Sequence, residues 1–253
     1  MRYFIAILWL LCAQQSNAQI VNIEEMRIRG TNDSMRWYGA LKGAFHLSKV
    51  KDQSLLVHGE SQVQYKYHRN IWLLLLNSNF LRAGDRNFVN STFGHLRYNY
   101  KIRTPLSWEA YIQQQTNKLL LIQSRSLAGT GLRQRIFINK GQNSRLYLGV
   151  AYLYERNLYT DDFGRKNWHR ISNYVSVTLH NKSTGTVLQA TTYWQPVVGF
   201  IKYSRISTEW TLELPIGKHL RFSSDFAWST DRSLPEGAPL QVYTWQNGVV
   251  WRL

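Results

Sequence analysis

From Phe88 to Ile102 apolar and polar positions keep a period of two. One row reads Phe88, Asn90, Thr92, Gly94, Leu96, Tyr98, Tyr100 and Ile102 and turns apolar and aromatic towards its end. The other, Val89, Ser91, Phe93, His95, Arg97, Asn99 and Lys101, stays polar and basic. Alternation of this kind predicts a β-strand. At about 3.3 Å per residue the run spans about 50 Å, well beyond the ~5–6 residues of an ordinary globular strand. A strand this long, greasy on one face and wet on the other, suits a wall between lipid and an aqueous lumen.

The rest of the chain repeats the pattern. Trp37, Gly39, Leu41, Gly43, Phe45 and Leu47 alternate with Tyr38, Lys42, His46 and Ser48, and a polar turn over 49–53 leads to a return strand, Ser54 to Tyr67. Ile71 to Leu81 is apolar on both rows and leaves its facing open. Later strands place Trp108, Ala110 and Ile112 opposite Glu109, Tyr111 and Gln113; Leu132 and Ile136 opposite Arg125, Gly129, Gly131, Arg133 and Arg135; and Ile206, Trp210 and Leu212 opposite Arg205, Ser207 and Glu209. Pro105 and Pro196 are read as strand breaks, because proline cannot donate to a ladder. Two long polar loops are expected, Arg156 to Asn167 and Thr230 to Leu240. The count is about twelve strands, and with the N-terminus in the periplasm both long loops follow odd-numbered strands and fall on the outer side. The fold class predicted is all-β, a transmembrane antiparallel up-and-down barrel; a β-sandwich also alternates, but with shorter strands.

Composition agrees with dilution of apolar residues by alternation: 44% are hydrophobic and 14% aromatic, with only five prolines. No apolar run of ~18 residues lies beyond the first residues, so a spanning helix is not expected. Those first residues carry Arg2, an apolar stretch from Tyr3 to Leu11, and Ser16-Asn17-Ala18, a small-x-small cleavage site. The organisation read from this is a signal peptide over 1–18, a lead over 19–36 and a barrel over 37–253. A short membrane anchor is disfavoured by the brevity of the apolar run, and lipidation of Cys12 by bulky Leu11 before it. Cys12 is the sole cysteine, so removal of the signal leaves neither a disulfide nor a thiolate metal site.

A formal charge of +16 would point to nucleic acid in a cytoplasmic chain. Here the basic residues are spread without a stripe, arm or recognition motif, and the export signal argues against that partner. The expected partners are outer-membrane lipid and lipopolysaccharide, the barrel-assembly machinery during biogenesis, and small anionic solutes. A monomer in the bacterial outer membrane is expected, with no cofactor.

Two stretches carry a family resemblance. Trp37-x-Gly39-x-x-x-Gly43 with a return strand closing on Tyr65, and Trp108-Glu109-Ala110-Tyr111 leading to Arg125-Ser126-Leu127-Ala128-Gly129-Thr130-Gly131-Leu132-Arg133, resemble the salt-induced outer-membrane proteins of bacteria over roughly 37–137. The chain departs from that pattern at Lys49 to Asp52, where a Gly-Asn turn is usual, and it ends in Leu253 in place of the phenylalanine common on barrels. The resemblance implies an outer-membrane barrel of unknown function and transfers no catalytic residue.

Three sets of residues invite chemistry. His46-Leu47-Ser48 has the His-x-Ser spacing of barrel lipid hydrolases, with histidine as base and serine as nucleophile, yet both are read as lumen-facing, away from lipid. His58 and Glu60 share a face that His95 approaches, and lumen lining explains them as well as metal binding does. The largest set is lumen charge: Lys42, Lys66, Arg97, Lys101, Arg133, Arg135, Arg205 and Arg221, with Glu60, Glu109, Glu209 and Asp225 among them. A wet lumen with a basic excess favours anions. The same charges paired across the interior would plug it. The expected function is therefore a narrow, anion-leaning small-solute pore or an envelope-integrity protein and not an enzyme; a phospholipase or lipid A deacylase is the first alternative, and a plugged barrel serving as a binding or scaffold protein is the second.

Overall fold

The computed structural model describes residues 36–49, 53–84, 86–139, 141, 143–160, 163–217 and 219–251. The signal peptide and all of the lead except Arg36 lie outside the described residues. Alternation produces twelve strands: β1 (Trp37–Lys49), β2 (Gln53–Tyr67), β3 (Asn70–Ala83), β4 (Arg86–Arg103), β5 (Leu106–Asn117), β6 (Ile122–Asn139), β7 (Ser144–Tyr159), β8 (Arg165–Asn181), β9 (Thr186–Val197), β10 (Phe200–Pro215), β11 (Leu220–Asp231) and β12 (Gln241–Trp251). They form one sheet in sequence order, and each ladder is antiparallel. This is an up-and-down β-barrel. Its curl is fixed by bonds between distant strands: Arg125 of β6 lies 3.3 Å from Asp231 of β11, and the Tyr174 hydroxyl of β8 donates to Glu109 of β5 at 3.1 Å.

The period of two sorts side chains onto the two faces. Leu74, Leu96, Ile112, Leu132, Val150 and Val175 point out and stay exposed, while His95, Arg97, Glu109, Arg125 and Glu155 point in and are buried. In β3, where both rows are apolar, Leu73 and Leu75 take the inward row and cluster with Phe93, leaving Trp72, Leu74 and Leu76 outside. Outward polar groups bond to one another across strands. Thr92 meets Thr116 and Thr192 meets Thr208, each pair at 2.8 Å; Gln114 is held by Ser124 and Ser126, and Trp108 Nε1 donates to Thr130 at 2.8 Å. Such pairing is what a wall without access to water requires.

Aromatic residues gather where the wall would meet an interface. Trp37 stacks obliquely on Tyr65 at 4.4 Å, Trp72 on Tyr98 at 4.6 Å, and Tyr98 meets Trp108 edge-on at 5.9 Å, a belt running over β1 to β5 near the turns that follow even-numbered strands. Tyr152, Tyr154 and His169 form an aromatic cluster on β7 and β8 nearer the opposite end. The end bearing the connections after even-numbered strands is the turn end; the other, with the connection over 232–240, is the loop end.

Three expectations about strand limits need correction. β7 continues to Tyr159 and β8 begins at Arg165, so most of the expected loop over 156–167 is strand; Glu155, Asn157 and Tyr159 simply extend the inward row, and their polarity reflects the lumen. β11 runs on to Asp231, where a loop was expected from Thr230. Pro196 lies inside β9 and does not end it, because it sits where the β9–β10 register shifts between Phe200 and Arg205 and no ladder bond is asked of it.

Candidate functional site

Five inward-facing charges from five strands converge near the loop end. Arg205 (β10) reaches Glu155 (β7) and Asp231 (β11), both at 2.9 Å. Arg125 (β6) lies 3.3 Å from Asp231 and 3.6 Å from Glu155, and Arg170 (β8) is 3.5 Å from Glu155 and 3.9 Å from Asp231. All five are at most 6% exposed. Neutral groups complete the shell. Asn157 accepts from Arg125 at 2.6 Å and donates to Glu155 at 2.7 Å, while Arg170 donates to the backbone oxygens of Gln195 and Tyr203, each at 2.9 Å. Charges this dry persist only when paired and hydrogen-bonded. The result is a transverse partition bonded to strands on several sides of the barrel.

The loop over 232–240 closes on this partition. Ser233 accepts from Arg170 at 2.6 Å, gives its amide and hydroxyl to Asp231, and takes a hydrogen bond on its carbonyl from the Tyr159 hydroxyl at 3.3 Å. Leu234 packs on the apolar cluster of Leu120, Ile122 and Tyr159, with Val242 beside it. The short 3-10 turn Lys118–Leu120 that presents Leu120 is capped by Asn117, whose Oδ1 accepts from the Leu120 amide at 3.2 Å. Loop, turn and ion cluster thus cover the same mouth.

Away from the partition the barrel retains a cavity of ≈ 470 Å³ between its first and last strands. Lys42, His58, Glu60, Glu209, Thr211, Asp225, Thr244 and Gln246 line it. Lys42 is 3.5 Å from Glu60, but its side chain is 72% exposed, so this pair is screened and contributes little. Asp225 accepts from Thr211 at 2.6 Å and from Ser223 at 3.0 Å. Among the described residues three carboxylates and one lysine thus line the cavity, an acidic balance where the whole-chain count led to a basic one.

The charged residues read from sequence fall into different roles. Arg97 (3.4 Å) and Arg133 (3.9 Å) share Glu109, and Arg133 also sits 3.9 Å over the Tyr147 ring. Arg221 pairs with Glu213 at 3.0 Å and donates to the Gly185 carbonyl at 2.6 Å. Lys66 and Arg135 occupy inward rows in partly buried positions, and Lys101 is exposed near the turn-end rim. Glu60, Glu209 and Asp225 join the cavity; Arg205 belongs to the partition. Four of the partition's five charges, Arg125, Glu155, Arg170 and Asp231, were missing from the expected set, and so was Glu213. Arg125 stood on the inward row of its predicted strand, and continuing that row in β7 would have found Glu155; Asp231 was hidden by the expected loop.

His46 and Ser48 lie on the lumen row of β1, and the Ser48 hydroxyl shares a 2.6 Å hydrogen bond with Ser54. His58 Nδ1 bonds Asn79 Oδ1 at 2.6 Å, and His95 Nδ1 bonds Gln113 Oε1 at 3.2 Å. Among the described residues no group of three or more His, Cys, Asp and Glu is placed to hold a metal ion.

Fold and interior define the class: an antiparallel up-and-down β-barrel with an apolar exterior and a charged, partly filled lumen. Residues 52–241 match the model of a family described as protein of unknown function, DUF481, and the chain belongs to that family. Among solved structures the chain is similar to one described as a NanC porin in a rhombohedral crystal form, with 15% identity and a TM-score of 0.48, over 86% of this chain and 98% of that one. Comparison with curated proteins finds no match.

Proposed function

We propose that this chain is an outer-membrane barrel serving as a narrow small-solute passage held shut at its loop end. The carrying observation is the division of its interior. A buried five-residue ion cluster lies across one mouth beneath the loop over 232–240, while a cavity of ≈ 470 Å³ persists away from it, between the first and last strands. Exposed apolar rows, cross-strand pairing of outward polar groups and the aromatic belt support membrane placement. Solvated pairs such as Lys42–Glu60 line the open side, and desolvated ones hold the closed side. Twelve strands enclose far less than the ~16–18 of open porins, so a single filled layer suffices to block flow.

Planar-bilayer recording with purified full-length protein tests this. The wild type is expected to give small, mostly closed conductance. Replacing the loop over 232–240 with a short glycine linker should raise conductance several-fold. Absence of conductance in both forms would leave a plugged scaffold barrel and remove the pore. The hydrolase reading has weaker support, because Ser48 bonds Ser54 on the lumen side rather than a histidine at the lipid-facing wall. Ser48→Ala is expected to leave any phospholipid or lipid A deacylation by the preparation unchanged.

A further inference from the structure

A second charged assembly lies nearer the turn end, and among the described residues its cations outnumber its carboxylates. Arg97 and Arg133 share the carboxylate of Glu109, which also accepts from the Tyr174 hydroxyl. Tyr147 carries the Arg133 guanidinium on its ring, and Arg145 follows Tyr147 in the same inward row of β7. On β4, Lys101 continues the row of Arg97 to the exposed rim. Among the described residues four cations therefore border a stretch holding one carboxylate.

Within that stretch is a buried amide without a partner. Asn99 stands between Arg97 and Lys101 in the inward row and is 1% exposed, and neither its Oδ1 nor its Nδ2 makes a hydrogen bond among the described residues. The buried Nε of Arg145 makes none either. A buried polar group left this way destabilises the fold, and a bound polar ligand would offset that cost. Guanidinium groups and an amide N–H favour an oxygen-bearing anion, since planar donor forks match carboxylate and phosphate oxygens.

We infer that Arg97, Asn99, Arg133 and Arg145 form a binding site for a small oxyanion, a carboxylate or phosphate, entered from the turn end past Lys101. The site rests on the reading of the lumen as solute-accessible from that end. Glu109 holds two of the guanidiniums in place and, being negative, keeps the affinity moderate, which suits a solute that must leave again.

Isothermal titration of the full chain in detergent, with inorganic phosphate and separately with acetate, tests the site. Saturable binding that weakens with added sodium chloride is expected for at least one of the two, and which one is tighter identifies the oxyanion class. Asn99→Ala should weaken it about tenfold, the loss of one charge-assisted hydrogen bond. Arg133→Lys should weaken it similarly while keeping the charge that holds the fold. Arg221→Gln, at a pair outside the site, should leave it unchanged. No saturable binding of either anion, or binding indifferent to both site substitutions, overturns the inference. Binding without conductance would uphold the site and remove the passage; conductance without binding would do the reverse.

Discussion

Glu155 shows what one residue carries in this barrel. Fully buried, it lies between Arg125, Arg170 and Arg205, and its only carboxylate neighbour in the cluster is Asp231. Replacing it with glutamine keeps the volume and leaves three guanidiniums against a single carboxylate. Breaking a buried pair in this way costs about 3–5 kcal/mol. Glu155→Gln is accordingly expected to lower the urea midpoint of the detergent-solubilised barrel far more than Glu60→Gln, whose partner Lys42 is solvated; equal midpoints would mean that the cluster is wetter than its burial indicates. Small residues matter as much on the inner wall. A Cβ added at Gly149 would overlap the Tyr174 ring, and one at Gly129 would come within 2.6 Å of Tyr111 Cζ. These glycines are the spaces into which the tyrosines of neighbouring strands fit, and with those tyrosines in place the wall has no room for a side chain.

Strands are the scale at which the sequence was most legible. A period of two states which row faces out and which faces the lumen, so Leu132 and Arg133, adjacent in β6, separate cleanly to outside and inside. The test is an arginine at the middle of an outward row. Val150→Arg should cost about 2–4 kcal/mol in bilayers, as charges at midplane do on barrel exteriors. At the inward neighbour Ala151, which abuts Gly131, a large side chain would fail for a different reason, crowding, whereas serine adds a single atom, so folding of Ala151→Ser but not of Val150→Arg is the expected contrast. Unimpaired insertion of Val150→Arg would place this row away from acyl chains. Alternation became less informative in two places. In β3 both rows are apolar, and the choice of Leu73 and Leu75 for the inside rests on contact with Phe93 of the neighbouring strand. At strand ends lumen polarity resembles loop polarity, which is why Arg156 and Asp231 were assigned to loops.

For the whole molecule, the interior is layered: a sealed ionic layer under the loops, a cavity with three carboxylates and one lysine at mid-height on one wall, and an arginine-rich layer nearer the turns. Total charge therefore says little about any one level of the lumen. Arg205, Arg97 and Arg133 were expected as a field acting on passing anions, but each lies within reach of a carboxylate, and where net charge survives it is local. The exterior makes its own prediction. Trp72, Trp108, Trp194 and Trp245 are exposed on the outer wall. In vesicles of lipids brominated on the acyl chains, most tryptophan emission should be quenched; full emission would exclude the bilayer as the surroundings of this wall.

By itself the sequence determined the strands, their number and the facing of most rows, because alternation along a strand is local and each residue's row follows from its neighbours. It also named many of the lumen charges. Only the tertiary structure decided which charges meet. The bond from Arg125 to Asp231 spans 106 positions of chain, and no local pattern encodes it. Curling the sheet brings β6, β7, β8, β10 and β11 to one desolvated point, where Coulomb attraction is least screened, and that closure turns scattered arginines and carboxylates into a partition.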